Sequence, residues 1–222
     1  MSYIKDTFYQ HNKALINCFM TEFSPHLKFT FTELDRYWKD KIDWEKLIQF
    51  TICLHDYGKL NVAWQKPMKE FQNCKTATYN SAEMLAHTDY NDDTDRELAK
   101  KCRIKNKPPH AGIGAMQAYE ILFDSHSQDI AKAVSNAILK HHSIETKSFA
   151  DFYIPQTHLK EIKLLFEEYK FKSEFITKEK GELLDDILPS NEREWILYFF
   201  IVRILRLCDQ KATKCLEKYY KS

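Results

Sequence analysis

The sequence predicts an all-α fold, a single helical domain over residues 1–222. Apolar residues recur at helical spacing along most of the chain. Glycine is scarce, at four residues in 222 against a usual ~7%, which argues against Gly-rich β folds. Helix-start residues stand before the apolar runs.

The first helix is expected from about Ile4 to Phe23, with Ile4, Phe8, His11, Leu15, Cys18 and Phe19 on its apolar stripe. Asp43 reads as the N-cap of a helix from Trp44 to about Tyr57, ended by Gly58. That helix is apolar on most sides, which predicts a central, buried position. A short amphipathic helix is expected around Val62 to Phe71. Residues 74–108 are rich in Asn, Asp, Thr and Lys. They read as a polar surface insertion or mobile loop, with one helical piece near Ser81 to His87. Helices then follow from near His110 to Phe123, from Ile130 to His142 and from Gln156 to Phe171. The last, from Asn191 to Tyr220, opens on an Asn-x-x-Glu capping pattern at Asn191 and Glu194. No internal repeat, low-complexity tract or linker interrupts the chain.

Composition excludes several functions. Gly58, Gly112, Gly114 and Gly181 build neither GxxxxGK[ST] nor GxGxxG, so neither a P-loop nor a Rossmann site is present. Lys plus Arg is 33 and Asp plus Glu 32. Bulk charge therefore predicts no affinity for nucleic acid, which leaves only a local basic groove. The six cysteines form no CxxC pair and several sit in apolar helical runs, which suits a reducing, cytoplasmic setting. The polar start is unlike a signal peptide. The most apolar run, Trp195 to Cys208, is interrupted by Arg203 and Arg206, and no membrane span is expected.

The chemistry-bearing residues are mostly histidines. His55-Asp56 stands at the C-terminal end of an apolar helix, and both side chains are first-row metal ligands. His11 lies on the inward stripe of the first helix. His110 follows two prolines and precedes the small residues Ala111, Gly112, Gly114 and Ala115. His141 and His142 end a helix, where fraying lets neighbouring side chains converge. Asp209 lies on the stripe Tyr198, Val202, Leu205, Asp209, Ala212, Leu216, and a buried carboxylate there needs a cation. Each alone has an ordinary explanation: a core histidine, a helix-end pair or a salt bridge. Together, seven such groups suit two ions. Nitrogen-rich ligation favours Mn, Fe, Co, Ni or Zn over Mg. Two-metal centres serve in-line phosphoester hydrolysis. Lys59, one turn past the His-Asp pair, is placed to neutralise a phosphate oxygen.

In this order the residues resemble the HD superfamily of metal-dependent phosphohydrolases. More narrowly they resemble the CRISPR-associated HD nuclease, the nuclease half of the type I interference nuclease-helicase. Leu54-His55-Asp56-Tyr57-Gly58-Lys59 with Trp64-Gln65 resembles that family's HD-x-GK segment and its downstream aromatic-Gln. His110 to Ala115, Leu139 to Ser143 with its double histidine, and Arg203 to Thr213 with Asp209 resemble its remaining motifs. The resemblance implies an HD helical bundle with two metals bridged by Asp56. His11, His55 and Asp209 would join one ion; His110, His141 and His142 would join the other. His87, inside the polar stretch, is a rival to His110.

The same resemblance implies cleavage of single-stranded DNA, in some members also of RNA, with Mn, Co or Ni supporting activity. It implies a helicase supplied as a separate subunit or a further part of the protein, and a guide-RNA surveillance complex that supplies the target. Lys59, Lys66, Lys105, Lys107 and Lys140 are candidate phosphate contacts, and Trp64 a candidate stacking platform. A second reading is an HD phosphohydrolase or phosphodiesterase acting on a small nucleotide. A third is a non-catalytic assembly subunit that keeps its metal for folding.

Overall fold

The computed structural model describes residues 6–39, 41–76, 82–171 and 174–221. Among these, nine α-helices carry the architecture: α1 (Phe8–Cys18), α2 (Lys28–Trp38), α3 (Trp44–His55), α4 (Val62–Lys75), α5 (Arg96–Lys101), α6 (Ala111–Ser125), α7 (Gln128–Leu139), α8 (Lys160–Glu168) and α9 (Glu192–Lys221). Six short strands form three antiparallel pairs. β1 (Asp6–Thr7) pairs with β2 (Leu85–His87), β3 (Ser148–Phe149) with β6 (Glu182–Leu183), and β4 (Phe152–Tyr153) with β5 (Lys178–Glu179).

The all-α expectation holds, and α3 is the central helix. It packs against α1, α6, α7, α8 and α9, and Ile48, Ile52, Cys53 and Leu54 are almost wholly buried. Each large apolar side chain enclosed in this way contributes about 1.5–3 kcal/mol. Asp43 caps α3 by accepting a 3.0 Å hydrogen bond from the Lys46 amide. The Asn191 side chain likewise accepts from the Glu194 amide at 3.0 Å before α9.

Several elements differ from the periodicity. The first helix starts at Phe8, because Thr7 and Gln10 form a reciprocal capping box there, with both hydrogen bonds at 3.1 Å. Its last turn, Phe19–Phe23, is π-helical. The Ile4 end of the expected helix lies outside the described residues. Helix α2, which the apolar pattern does not announce, buries only Phe31, Leu34 and Trp38.

The polar stretch 74–108 leaves the bundle, yet it is not a loop. Helix α4 runs on to Lys75, the expected helical piece near His87 is strand β2, and α5 follows. Residues 77–81 lie outside the described set. Leu85, Tyr90, Ala99, Cys102 and Ile104 form a second apolar cluster with Trp64, Met68 and Phe71 of α4. Gln65 joins this unit to the end of α3. Its amide nitrogen donates to the carbonyls of Lys59 (2.8 Å) and Leu85 (2.9 Å), and its oxygen accepts from the Leu85 amide at 3.0 Å. One buried amide side chain thus supplies the hydrogen bonds that strand β2 lacks on that side.

Gly58 turns the chain at the end of α3, and a β-carbon there would overlap the backbone carbonyl of His110. The absence of a side chain lets the segment before α6 lie against the His-Asp turn. Gly58→Ala is expected to cost about 1–3 kcal/mol through overpacking and to weaken metal binding by displacing His110. Thermal denaturation and metal titration of the variant check both effects.

Candidate metal centre

Asp56 sits at the C-terminal cap of α3, fully buried, and the side chains of five histidines gather around it. Its two oxygens face different sets. Oδ2 lies 3.5 Å from His11 Nε2 and 3.3 Å from His55 Nε2. Oδ1 lies 2.9 Å from His110 Nε2 and 4.0 Å from His141 Nε2. His142 Nε2 lies 3.1 Å from His110 Nε2, and Asp209 Oδ1 lies 3.4 Å from His11 Nε2. The seven residues read from the sequence therefore meet at one place, brought there by α1, the end of α3, the start of α6, the turn after α7, and α9.

Backbone carbonyls set the ring orientations. His55 Nδ1 donates to the Ile52 carbonyl at 2.6 Å, and His141 Nδ1 donates to the Ile138 carbonyl at 2.5 Å. A carbonyl only accepts, so each Nδ1 carries the proton and each Nε2 is left as a lone-pair donor. The turn that carries His141 is tied down from α9. Arg206 donates from Nε to the His141 carbonyl (2.9 Å) and from Nη2 to the Lys140 carbonyl (2.6 Å). Helix α7 ends at Leu139, so His141 and His142 leave the helical course and both rings reach His110, with centroids 5.6 and 5.0 Å away.

The electrostatics follow from this crowding. Burial would raise the Asp56 carboxyl, but the facing His55, Lys59 and His110 hold it well below the usual carboxylate range. Burial, then the neighbouring His142, His55 and His110, push His141 well down. Burial also lowers His110, against the pull of Asp56. These rings are neutral imidazoles at neutral pH, the form that ligates metal.

The donor set fits divalent ions. His141 Nε2, His11 Nε2 and both Asp56 oxygens are enclosed with no aligned hydrogen-bond partner. One atom from each of Asp56, His110, His141 and His142, and likewise from each of His11, His55 and Asp56, lies within 4.8 Å of the others in its group. Ligands about 2 Å from a shared ion stand at most about 4 Å apart, and the contacts given above fall within that.

The remaining sequence candidates are distributed unevenly. Lys59 is buried rather than solvated, with Nζ 2.6 Å from Asp56 Oδ2. Trp64 is a core residue, 1% exposed, whose ring lies under Lys59 and Lys107 with Nζ atoms 5.7 and 5.8 Å from its centroid. It is too enclosed to stack on a base. Lys140 is also buried, and its Nζ donates to the carbonyls of Ile144 and Thr146. That side chain ties a loop and lines neither cleft beside the cluster. Lys105 is exposed and lines neither cleft, and Lys66 lines a different depression, with Tyr153 and Lys178.

His87 does not displace His110; both are present. Its Nδ1 lies 2.9 Å from Asp6 Oδ1, and Asp6 Oδ2 lies 3.1 Å from His11 Nδ1. Asp6 is the residue that sequence reasoning missed. It precedes the first helix, off the apolar stripe, and only its pairing with β2 reveals it. Two clefts flank the cluster. One, about 440 Å³, is lined by Lys59, Trp64, His87, Lys107, His110 and His142 among others. The other, about 670 Å³, is lined by His141, Ser143, Arg206 and Gln210 among others. His142 and Asp209 line both.

Comparison with protein families matches residues 16–196 to the family described as Cas3, HD domain. The chain belongs to that family. No curated protein and no solved structure gives a significant match. Membership in the Cas3 HD-domain family implies divalent-metal binding and a metal-dependent nuclease in a CRISPR type I system. The matched span contains His55, Asp56, His110, His141 and His142, whereas His11 and Asp209 join the cluster by geometry alone. Among the described residues no helix is long and apolar enough to cross a membrane.

Arg206→Ala strips two carbonyls of their donor, at a cost of about 1–3 kcal/mol. The expected result is a lower melting temperature together with weaker divalent-metal binding, read by calorimetry on the same preparation.

Proposed function

We propose that this protein hydrolyses phosphodiester bonds of single-stranded DNA, with two divalent ions bridged by Asp56. The observation that carries this reading is the partition of the Asp56 oxygens, Oδ2 toward His11 and His55 and Oδ1 toward His110 and His141. His11, His55 and Asp209 would hold one ion with Asp56, and His110, His141 and His142 the other. The preponderance of imidazole favours Mn, Fe, Co, Ni or Zn over Mg. When bound, such a pair of ions lowers the pKa of a bound water and neutralises charge on the attacked phosphate.

The chain's own residues supply the rest. Asp56 keeps its charge in a buried position, so it competes for cations at any physiological pH. His142 and Asp209 stand where the two clefts meet, and a strand crossing from one cleft to the other passes over the cluster. Lys59 and Lys107 line the first cleft and Arg206 the second, which suits a polyanion. Two clefts meeting at the cluster favour a polymer over a small nucleotide. Lys59 is placed to release Asp56 and donate to a phosphate oxygen. In this reading a helicase delivers the unwound strand and a guide-RNA surveillance complex the target, in the cytoplasm.

Metal-stripped protein resupplied with Mn, Co, Ni or Mg, given labelled single-stranded DNA, tests the proposal. Cleavage is expected only with added metal, and Asp56→Ala is expected to lose it by at least about 100-fold. Full activity of Asp56→Ala in Mn would overturn the mechanism. Ion binding without cleavage, but with hydrolysis of a small nucleotide, would replace the substrate class. Unfolding on chelation would make the metal structural. Lys59→Ala is expected to lower kcat more than it raises KM; an unchanged rate at saturating substrate removes its role.

Metal uptake is also pH-dependent. Burial lowers His11, but Asp6 and Asp209 outweigh it and push its pKa up to about 9. Below that pH a proton competes for Nε2, so affinity is expected to rise with pH toward about 9, by at most about tenfold per unit. Competition titrations against a chromophoric chelator measure the slope.

A further inference from the structure

Two of the residues around the cluster belong to neither set of proposed ligands. Asp6 and His87 come from the first strand and from the polar excursion, and the β1–β2 pairing sets them opposite each other. Asp6 is 2% exposed. Each of its oxygens is spoken for: Oδ2 lies 3.1 Å from His11 Nδ1 and Oδ1 lies 2.9 Å from His87 Nδ1. The two rings meet edge-on, with centroids 4.7 Å apart. On the far side of His87, Nε2 faces Lys59 Nζ at 3.5 Å, and Lys59 in turn reaches Asp56.

An ionised carboxylate only accepts hydrogen bonds. Each Asp6 oxygen has an imidazole Nδ1 within hydrogen-bond distance, at 3.1 and 2.9 Å. Both imidazoles must therefore present an Nδ1 proton to it. That requirement fixes where the other nitrogens stand. His11 Nε2 is held toward Asp56 and Asp209, and His87 Nε2 is held, unprotonated, toward the Lys59 ammonium.

We propose that Asp6 is a positioning residue for the centre, setting the tautomer of His11 on the metal side and of His87 on the cleft side. Through His87 it also fixes Lys59 beside Asp56. The inference rests on the metal-binding reading of His11 above. The opposing reading is that Asp6, His11 and His87 take a cation of their own through Nδ1, since their ligand atoms also lie within 4.8 Å of one another. That reading puts a cation between two rings that already donate to Asp6 and next to Lys59.

The test uses the full chain labelled with ¹⁵N-histidine and loaded with zinc, which is diamagnetic. Long-range ¹H–¹⁵N spectra, assigned with His11→Gln and His87→Gln, report the protonated nitrogen of each ring. Nδ1–H on both rings is expected. A proton on Nε2 of either ring, or an Nδ1 shift typical of metal ligation, overturns the proposal. This measurement needs no Asp6 variant to fold.

The second arm is Asp6→Asn, which keeps the shape but turns one acceptor into a donor, so that one ring must change tautomer. Metal affinity is expected to fall about 10–100-fold, with helical content unchanged by circular dichroism. Excess metal is expected to restore cleavage only in part, because Lys59 is also released. Affinity within twofold of the wild type overturns the inference. The two readings fail separately. If the wild type takes up no divalent ion, or Asp56→Ala binds ions as the wild type does, the metal-binding reading fails. If those controls behave as expected and Asp6→Asn is silent, only the role of Asp6 fails.

Discussion

A buried carboxylate is the constraint around which this protein is arranged. Asp56 is enclosed in the bundle centre, where an unpaired charge would cost several kcal/mol. Lys59 pairs with one of its oxygens. Histidines from α1, α3, the start of α6 and the turn after α7 face it, together with Lys59. The close approaches between helices serve this gathering. Gly58 admits the His110 backbone, and Gly114 brings α6 against the carbonyl of Leu54. The apolar core supplies the rigidity, and the polar centre sets where the helices end.

Orientation is controlled as closely as position. Five imidazoles near one carboxylate have many tautomeric arrangements, most of which aim a proton at the centre. The carbonyls of Ile52 and Ile138 remove that freedom for His55 and His141. Arg206 holds the second of these turns from a helix distant in sequence. Pre-set donors of this kind let an ion bind without reordering its ligands, which is where affinity is otherwise lost.

Much of this was legible in the sequence because it rests on local rules. A His-Asp pair at the end of an unusually apolar helix, a histidine on an inward stripe and Asp209 on another all follow from helical periodicity. The convergence of His141 and His142 follows from fraying at a helix end. What escaped depends on pairing between distant segments. Asp6 carries no periodic signal, and strand β2 is too short and too polar nearby to announce itself; it is made by Gln65 and by β1. The same blindness made 74–108 look like a loop, although Leu85, Tyr90, Ala99, Cys102 and Ile104 cluster with apolar residues of α4. Position along the chain also does not show that Lys140 and Lys59 turn inward, since both long side chains reach acceptors that only the fold provides.

The centre is assembled from segments far apart in sequence. Glu161 of α8 accepts from the Tyr9 amide at 2.7 Å and from the Met84 amide at 2.9 Å, pinning together segments far apart in sequence. His11 and Asp209 meet only when α1 lies on α9. Contacts of such sequence separation close late, since long loops must be ordered first. The first 150 residues carry the imidazoles that surround Asp56 but not the α9 carboxylate that faces His11. Assembly of the cluster is therefore coupled to the docking of α9 on α1, which sets Asp209 against His11.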